Sequence, residues 1–238
     1  MTTGLIIYLL ATPALPKDSF AKRETGPMSR EAWLSIGVLM ALMLPVSLYW
    51  GTYEQQGNTI ALWASEYTDR HVFGAEIPVT WFQAFNPFMI FAFTPFIVAL
   101  WRRQGAREPS TVAKMAIGCF LNAAAYLVMV AAAWYAGGAQ ASWLWLFAYF
   151  VVITVGELYV SPVGLSLVTK VAPLHLLSMM MGVWLSTNFI AGFLAGYLGS
   201  FWSTMAKTDF FLMLAVISAI SGVVIALLIR PLRAILRD

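Results

Sequence analysis

The stretch ASWLWLFAYFVVITVGELYVSPVGLSLVT, residues 141–169, carries a single charged side chain, Glu157. It is long and apolar enough to cross a bilayer as one helix, which takes about 20 predominantly apolar residues. A carboxylate at that depth costs about 2.5–3.5 kcal/mol on insertion scales, so it is kept only where it faces protein or water. Intramembrane acids of this kind mark substrate or proton pathways. The segment therefore predicts a membrane-spanning helix whose one acid serves transport.

Composition extends that reading to the whole chain. Hydrophobic residues make up 61% and charged residues 11%, with a mean hydropathy of +0.78. A soluble domain is about half apolar and about a quarter charged. Apolar runs recur along the chain, which predicts an all-α, polytopic membrane protein. The net charge of +3 is not a nucleic-acid signal, because the Lys and Arg residues cluster at the ends of apolar runs. Cys119 lies alone inside an apolar run, so no internal disulfide can form.

Six spans are readable over residues 32–230. The first begins near Ala32 and runs to about Trp63; Val79–Trp101, Val112–Ala136, Trp143–Thr169, Leu177–Trp202 and Phe210–Ile229 follow. The connections are short, as antiparallel neighbours require, and the longest (Ser65–Pro78) carries Glu66, Asp69, Arg70 and Glu76. Counted span by span, Arg30, Arg102, Arg103, Arg107, Lys114, Lys170, Arg230, Arg233 and Arg237 fall on one side, and only Arg70 and Lys207 on the other. The positive-inside rule then places the basic loops and the C-terminal tail, residues 231–238, in the cytoplasm. Gly4–Leu10 is apolar but too short to span, and Lys17, Lys22 and Arg23 follow it. Residues 1–12 thus read as the end of a preceding membrane helix and 13–31 as a cytoplasmic linker, in a chain lacking the start of that helix.

Polar residues inside the spans are the candidates for chemistry. In Leu48–Thr59, LYWGTYEQQGNT, the residues Trp50, Glu54 and Asn58 share a helical face. Glu54 either faces a cavity or lies at the polar outer end of the helix. Pro45 removes a hydrogen bond to the Ala41 carbonyl, and Gly57 also weakens helix regularity. The second span places Gln83 and Asn86 beside Pro87, with Pro95 further on. A polar pair next to interrupted backbone reads as a binding element or as a packing kink. In the fourth span Glu157 and Ser161 lie one turn apart, ahead of Pro162. No Lys or Arg occupies a span centre to neutralise Glu157, so either its partner comes from a part of the protein outside this sequence or it titrates and can exchange a proton against a cationic substrate. The fifth span spaces Trp184, Asn188, Gly192 and Gly196 by four, and Gly192–Gly196 is a GxxxG that permits close helix packing. His71 and His175 lie in loops without metal-ligand spacing.

These segments resemble the C-terminal half of the proton-dependent oligopeptide transporters, a branch of the major facilitator superfamily. The residues that carry the resemblance are Trp50–Thr59, Phe82–Pro87 (FQAFNP), Gly156–Pro162 (GELYVSP) and Met181–Trp184 (MGVW), in the family's order. The resemblance implies the C-terminal six-helix bundle of a major facilitator fold, in a carrier for di- and tripeptides driven by protons and needing no cofactor. It implies that Glu157 receives the peptide's amino terminus and that Asn86 shares the contact. Trp50, Trp184 and Ser161 become substrate-binding residues, and Glu54, with Glu157, the proton-coupling acids. The family's helix-one ExxERFxYY signature and helix-four lysine have no counterpart here, which implies an N-terminal six-helix bundle as partner. The implied location is the inner membrane of a bacterium. Three competing readings follow: a major facilitator carrier for another small solute, a half-carrier inactive alone, and an intramembrane hydrolase using Glu54 and Glu157 as a carboxylate pair.

Overall fold

Among the described residues, every long apolar run folds as helix. The computed structural model describes residues 29–236 apart from 73, 174 and 175. The expectations for residues 1–28, for His175 and for the last two residues of the tail lie outside them. The helices are α1 (Arg30–Tyr53), α2 (Thr59–Glu66), α3 (Val79–Gln104), α4 (Thr111–Ala136), α5 (Trp143–Val171), α6 (Leu177–Gly199) and α7 (Lys207–Leu236). A 3₁₀ turn, Glu54–Gly57, joins α1 to α2, and another, Ser200–Ser203, prolongs α6. Six segments are long and apolar enough to cross a membrane: Ala32–Glu66, Val79–Gln104, Thr111–Ala136, Trp143–Val171, Leu177–Ser203 and Lys207–Arg230. They coincide with the six expected spans.

Local chemistry sets the helix boundaries. Ser29, Ser110 and Ser142 cap α1, α4 and α5, their hydroxyls accepting from Ala32 N (3.1 Å), Ala113 N (3.3 Å) and Leu144 N (3.3 Å). Gly137, at φ 54°, ends α4 in the left-handed conformation that a glycine adopts without strain. The longest connection is ordered by two-residue strands: β1 (Thr68–Asp69), then β2 (His71–Val72) antiparallel to β3 (Ala75–Glu76), closed by an Arg70–Glu76 ion pair at 2.5 Å. β1 pairs in parallel with β4 (Ala141–Ser142), which ties this loop to the start of α5.

In the bundle α4 packs against α5 and α7, α1 against α6 and α7, and α3 against α5. α4 and α5 meet backbone to backbone at a pair of glycines. A Cβ placed on Gly118 would meet the Gly156 carbonyl at 2.6 Å, and one on Gly156 would meet the Gly118 carbonyl at 3.0 Å. The GxxxG of α6 does no such work within the described residues: Gly192 and Gly196 are exposed, and a Cβ at either meets nothing within 4 Å. The prolines also act differently from expectation. α1 is continuous through Pro45 and α3 through Pro87 and Pro95; the first span breaks only at Glu54–Gly57. At Pro45 the Ser221 hydroxyl donates to its carbonyl at 2.5 Å.

A polar knot crosses the apolar core. Buried Asn122 of α4 donates through Nδ2 to Thr52 Oγ1 (2.9 Å) and Ser218 Oγ (3.1 Å), joining α1, α4 and α7. Tyr126 OH donates to the Thr52 carbonyl (2.6 Å) and accepts from Tyr149 OH (3.2 Å), which brings in α5. Interhelical hydrogen bonds in membranes average about 0.6 kcal/mol each, so the knot fixes register more than it adds stability. The glycine crossing is expected to matter more. Gly118→Ala overpacks the α4–α5 contact and should destabilise the bundle by about 1–3 kcal/mol, while Gly192→Ala should be neutral, as measured by unfolding in detergent.

Candidate functional site

The glycine crossing aims the acid. Because Gly156 presses its backbone on α4, the next residue, Glu157, turns about 100° around α5 and away from α4. Its carboxylate meets α3: Asn86 Nδ2 donates to Glu157 Oε2 at 3.0 Å and lies 3.2 Å from Thr154 Oγ1, one turn back on α5. The Tyr53 hydroxyl of α1 lies beside the same carboxylate. The ion pairs among the described residues are Arg70–Glu76, His71–Asp69 and Lys114–Glu108, so none involves Glu157. Glu157 is a half-buried acid at the middle of a membrane span whose carboxylate accepts from the neutral Asn86 amide.

Next to it, α1, α5 and α6 enclose a cleft of about 440 Å³. Trp50, Glu54, Ser161, Trp184 and Asn188 line it. Ser161 is one turn along α5 from Glu157, and Tyr53 bridges the two groups: its ring meets Trp50 edge-on at 5.1 Å and stacks on Tyr49 at 5.9 Å. Trp184 is seated by Gly164, where a Cβ would meet its Cζ2 at 2.8 Å. Trp50, Glu54, Ser161 and Trp184 thus share one cleft, and Glu157 and Asn86 form a hydrogen-bonded pair beside it. The two expected proton-coupling acids do not line the same cavity.

Asn58 leaves the expected face. The 3₁₀ turn Glu54–Gly57 breaks the helical periodicity, and Asn58, at φ −114° and ψ −93°, turns toward Gln55 and Gly199. The turn is held from three sides. Gln55 Nε2 donates to the Ala195 carbonyl of α6 (2.7 Å), Gln83 Nε2 of α3 donates to the Gln56 carbonyl (2.9 Å), and Tyr126 of α4 holds the Thr52 carbonyl. Gln83 and Asn86 accordingly fasten α3 to α1 and α5 along a continuous helix, not at a broken one.

Sequence reasoning missed Tyr53, Thr154 and Thr187, a buried residue of α6 that also lines the cleft. Thr154 stands three residues before Glu157, a spacing that puts the two on one helical face and was available as a signal. Tyr53 and Thr187 had none, because aromatic and hydroxyl residues recur throughout these spans.

A model of the POT family matches residues 27–220. The chain is 32% identical over 251 residues to the peptide transporter YePEPT of Yersinia enterocolitica subsp. palearctica, covering 100% of this chain and 48% of that protein. It is 31% identical over 202 residues to a di-/tripeptide transporter of Lactococcus lactis subsp. cremoris, covering 83% and 41%. The fold matches a crystal structure of a peptide transporter POT in complex with sulfate, with a TM-score of 0.83 at 23% identity, over 100% of this chain and 47% of that one. The chain therefore spans about half the length of the curated relatives it matches.

The Asn86–Glu157 bond is open to a double-mutant cycle. Asn86→Leu and Glu157→Gln should show a coupling energy of about 0.6–1.7 kcal/mol, the range that such cycles give for interhelical hydrogen bonds in membranes, in unfolding in detergent.

Proposed function

This chain belongs to the POT family, and on that premise we propose that it forms the C-terminal half of a proton-coupled di- and tripeptide symporter and supplies the site for the peptide's amino terminus. The observation that carries the proposal is the Glu157 carboxylate, bound by the Asn86 amide and by no cation among the described residues. An intramembrane acid so placed lacks only a positive charge, and a peptide ammonium provides one. Asn86 gives its amide nitrogen to the carboxylate, which leaves its carbonyl oxygen to accept from the same ammonium. Trp50 and Trp184 form the apolar walls for a peptide side chain, and Ser161 offers a hydroxyl between them and Glu157. The names of the relatives, a peptide transporter and a di-/tripeptide transporter, support this substrate class, and they set aside the hydrolase reading, since the family and these relatives are transporters.

The rest of the carrier would be a second six-helix bundle, completing a major facilitator fold and holding the peptide carboxylate with its own basic residues. Residues 32–230 are the membrane bundle in this reading, with 1–12 the end of a preceding helix, 13–31 a cytoplasmic linker and 231–238 a cytoplasmic tail. The basic loops face the cytoplasm of a bacterium and the bundle sits in its inner membrane. Protonation of Glu54 or Glu157 removes a negative charge from the substrate chamber and changes which charge pairs can form between bundles. That difference is what lets a proton bias an inward–outward equilibrium.

The test is dipeptide-driven proton uptake in proteoliposomes containing the complete carrier. Glu157→Gln should abolish uptake, whereas undiminished uptake would reject the assignment. Competition by unlabelled dialanine, but not by its N-acetylated form, should separate a peptide carrier from a major facilitator carrier of another small solute. Without the complementary bundle the chain should transport nothing.

A further inference from the structure

One polar residue of the cleft has no part in the amino-terminus site. Asn188 stands on α6 one turn beyond Trp184, and both line the cleft between α1, α5 and α6. Its level in the cleft follows from the packing of Trp184. A Cβ on Gly164 of α5 would meet the Trp184 ring at 2.8 Å, so that ring and Gly164 share one level. Ser161 precedes Gly164 by three residues, a rise of about 4.5 Å, and Asn188 follows Trp184 by four, a rise of about 6 Å. α5 and α6 are consecutive, antiparallel spans, so both steps lead the same way, toward Glu157. Asn188 and Ser161 therefore lie at one level on two different helices, between the Trp184 ring and the acid.

Neither side chain is spent on the fold. The hydroxyls beside Asn188 bond back to their own helix: Ser186 Oγ donates to the Val183 carbonyl at 2.6 Å, and Thr187 Oγ1 to the Trp184 carbonyl at 2.7 Å. Ser161 and Asn188 make no side-chain hydrogen bond to a described residue, and both open onto the cleft. Polar groups that a ligand shields from water need partners on that ligand. Which groups they meet is set by distance from the acid, since Ser161 lies one turn, about 6 Å, along α5 from Glu157. An ammonium hydrogen bond of about 3 Å followed by one residue of about 3.5 Å spans that turn. A peptide held by its ammonium at Glu157 thus brings its first peptide bond to this level. In a trans peptide the N–H and C=O point to opposite sides, which calls for one partner on each flank. A carboxamide oxygen is a stronger acceptor than a hydroxyl and suits the N–H, while the serine O–H suits the carbonyl.

We propose that Asn188 is a specificity-determining residue that reads the first peptide bond of the substrate, its Oδ1 accepting from the peptide N–H while Ser161 Oγ donates to the carbonyl. The assignment rests on the reading of this cleft as a peptide site. Its test is equilibrium binding to the complete carrier in detergent, comparing dialanine with alanyl-lactate, the ester isostere that lacks the N–H. The native carrier should hold dialanine about fivefold more tightly than the ester. Asn188→Leu should weaken dialanine about fivefold and leave the ester almost unchanged, so that the preference vanishes. Equal weakening of both ligands would mean that Asn188 acts through packing, and a preference that survives the substitution would mean that it does not meet the N–H. Either result overturns the assignment, as does equal affinity of the native carrier for the two ligands. A native carrier that binds no dialanine would instead reject the peptide reading of the cleft, and the role of Asn188 with it.

Discussion

The hydrogen bond from the Asn86 amide to the Glu157 carboxylate holds together the part of this bundle that is not held by packing. α3 packs against α5 on one side and turns Phe88, Phe91 and Phe96 outward. Its polar attachments are Asn86 to Glu157 and Thr154, and Gln83 to the Gln56 carbonyl. An acid that cannot lie unpaired in hydrocarbon thus also anchors a helix.

That anchor depends in turn on how closely α4 and α5 approach. Gly118 and Gly156 bring the two backbones into contact, and this rotational setting of α5 delivers Glu157 to α3. The knot of Asn122, Thr52, Ser218 and Tyr126 sets α1 against α4 and α7 in the same way. Tyr126 holds the Thr52 carbonyl just before α1 gives way to the 3₁₀ turn, so register and break are fixed by one contact. Trp50 and Glu54 reach the cleft because the break comes after them and not before.

The two cavities differ in their chemistry as much as in their place. The cleft of α1, α5 and α6 carries Glu54, with Glu157 alongside. A second cavity, at the ends of α2, α4 and α7, is walled mainly by Trp63, Tyr67 and Trp134, with Lys207 at its edge.

The sequence by itself determined the six spans, because burial of backbone in hydrocarbon forces long apolar runs that composition cannot hide. It also determined that Glu157 is special, since a lone acid in such a run has few tolerated surroundings, and it placed Asn86, Trp50, Ser161 and Trp184 on spans where the fold could gather them. What it could not determine was which small residues make close contacts. Gly192 and Gly196 match a packing motif yet stand open, while Gly118 and Gly156, on different helices, form a crossing that no local pattern announces. It put Asn58 on the face of Trp50 and Glu54 because helical periodicity was assumed through Gly57, whereas tertiary hydrogen bonds to Gln55, Gln56 and Thr52 stabilise a 3₁₀ turn there. Spans follow from the solvent the chain must meet; the site follows from contacts between residues far apart in the chain, which only the packed bundle specifies.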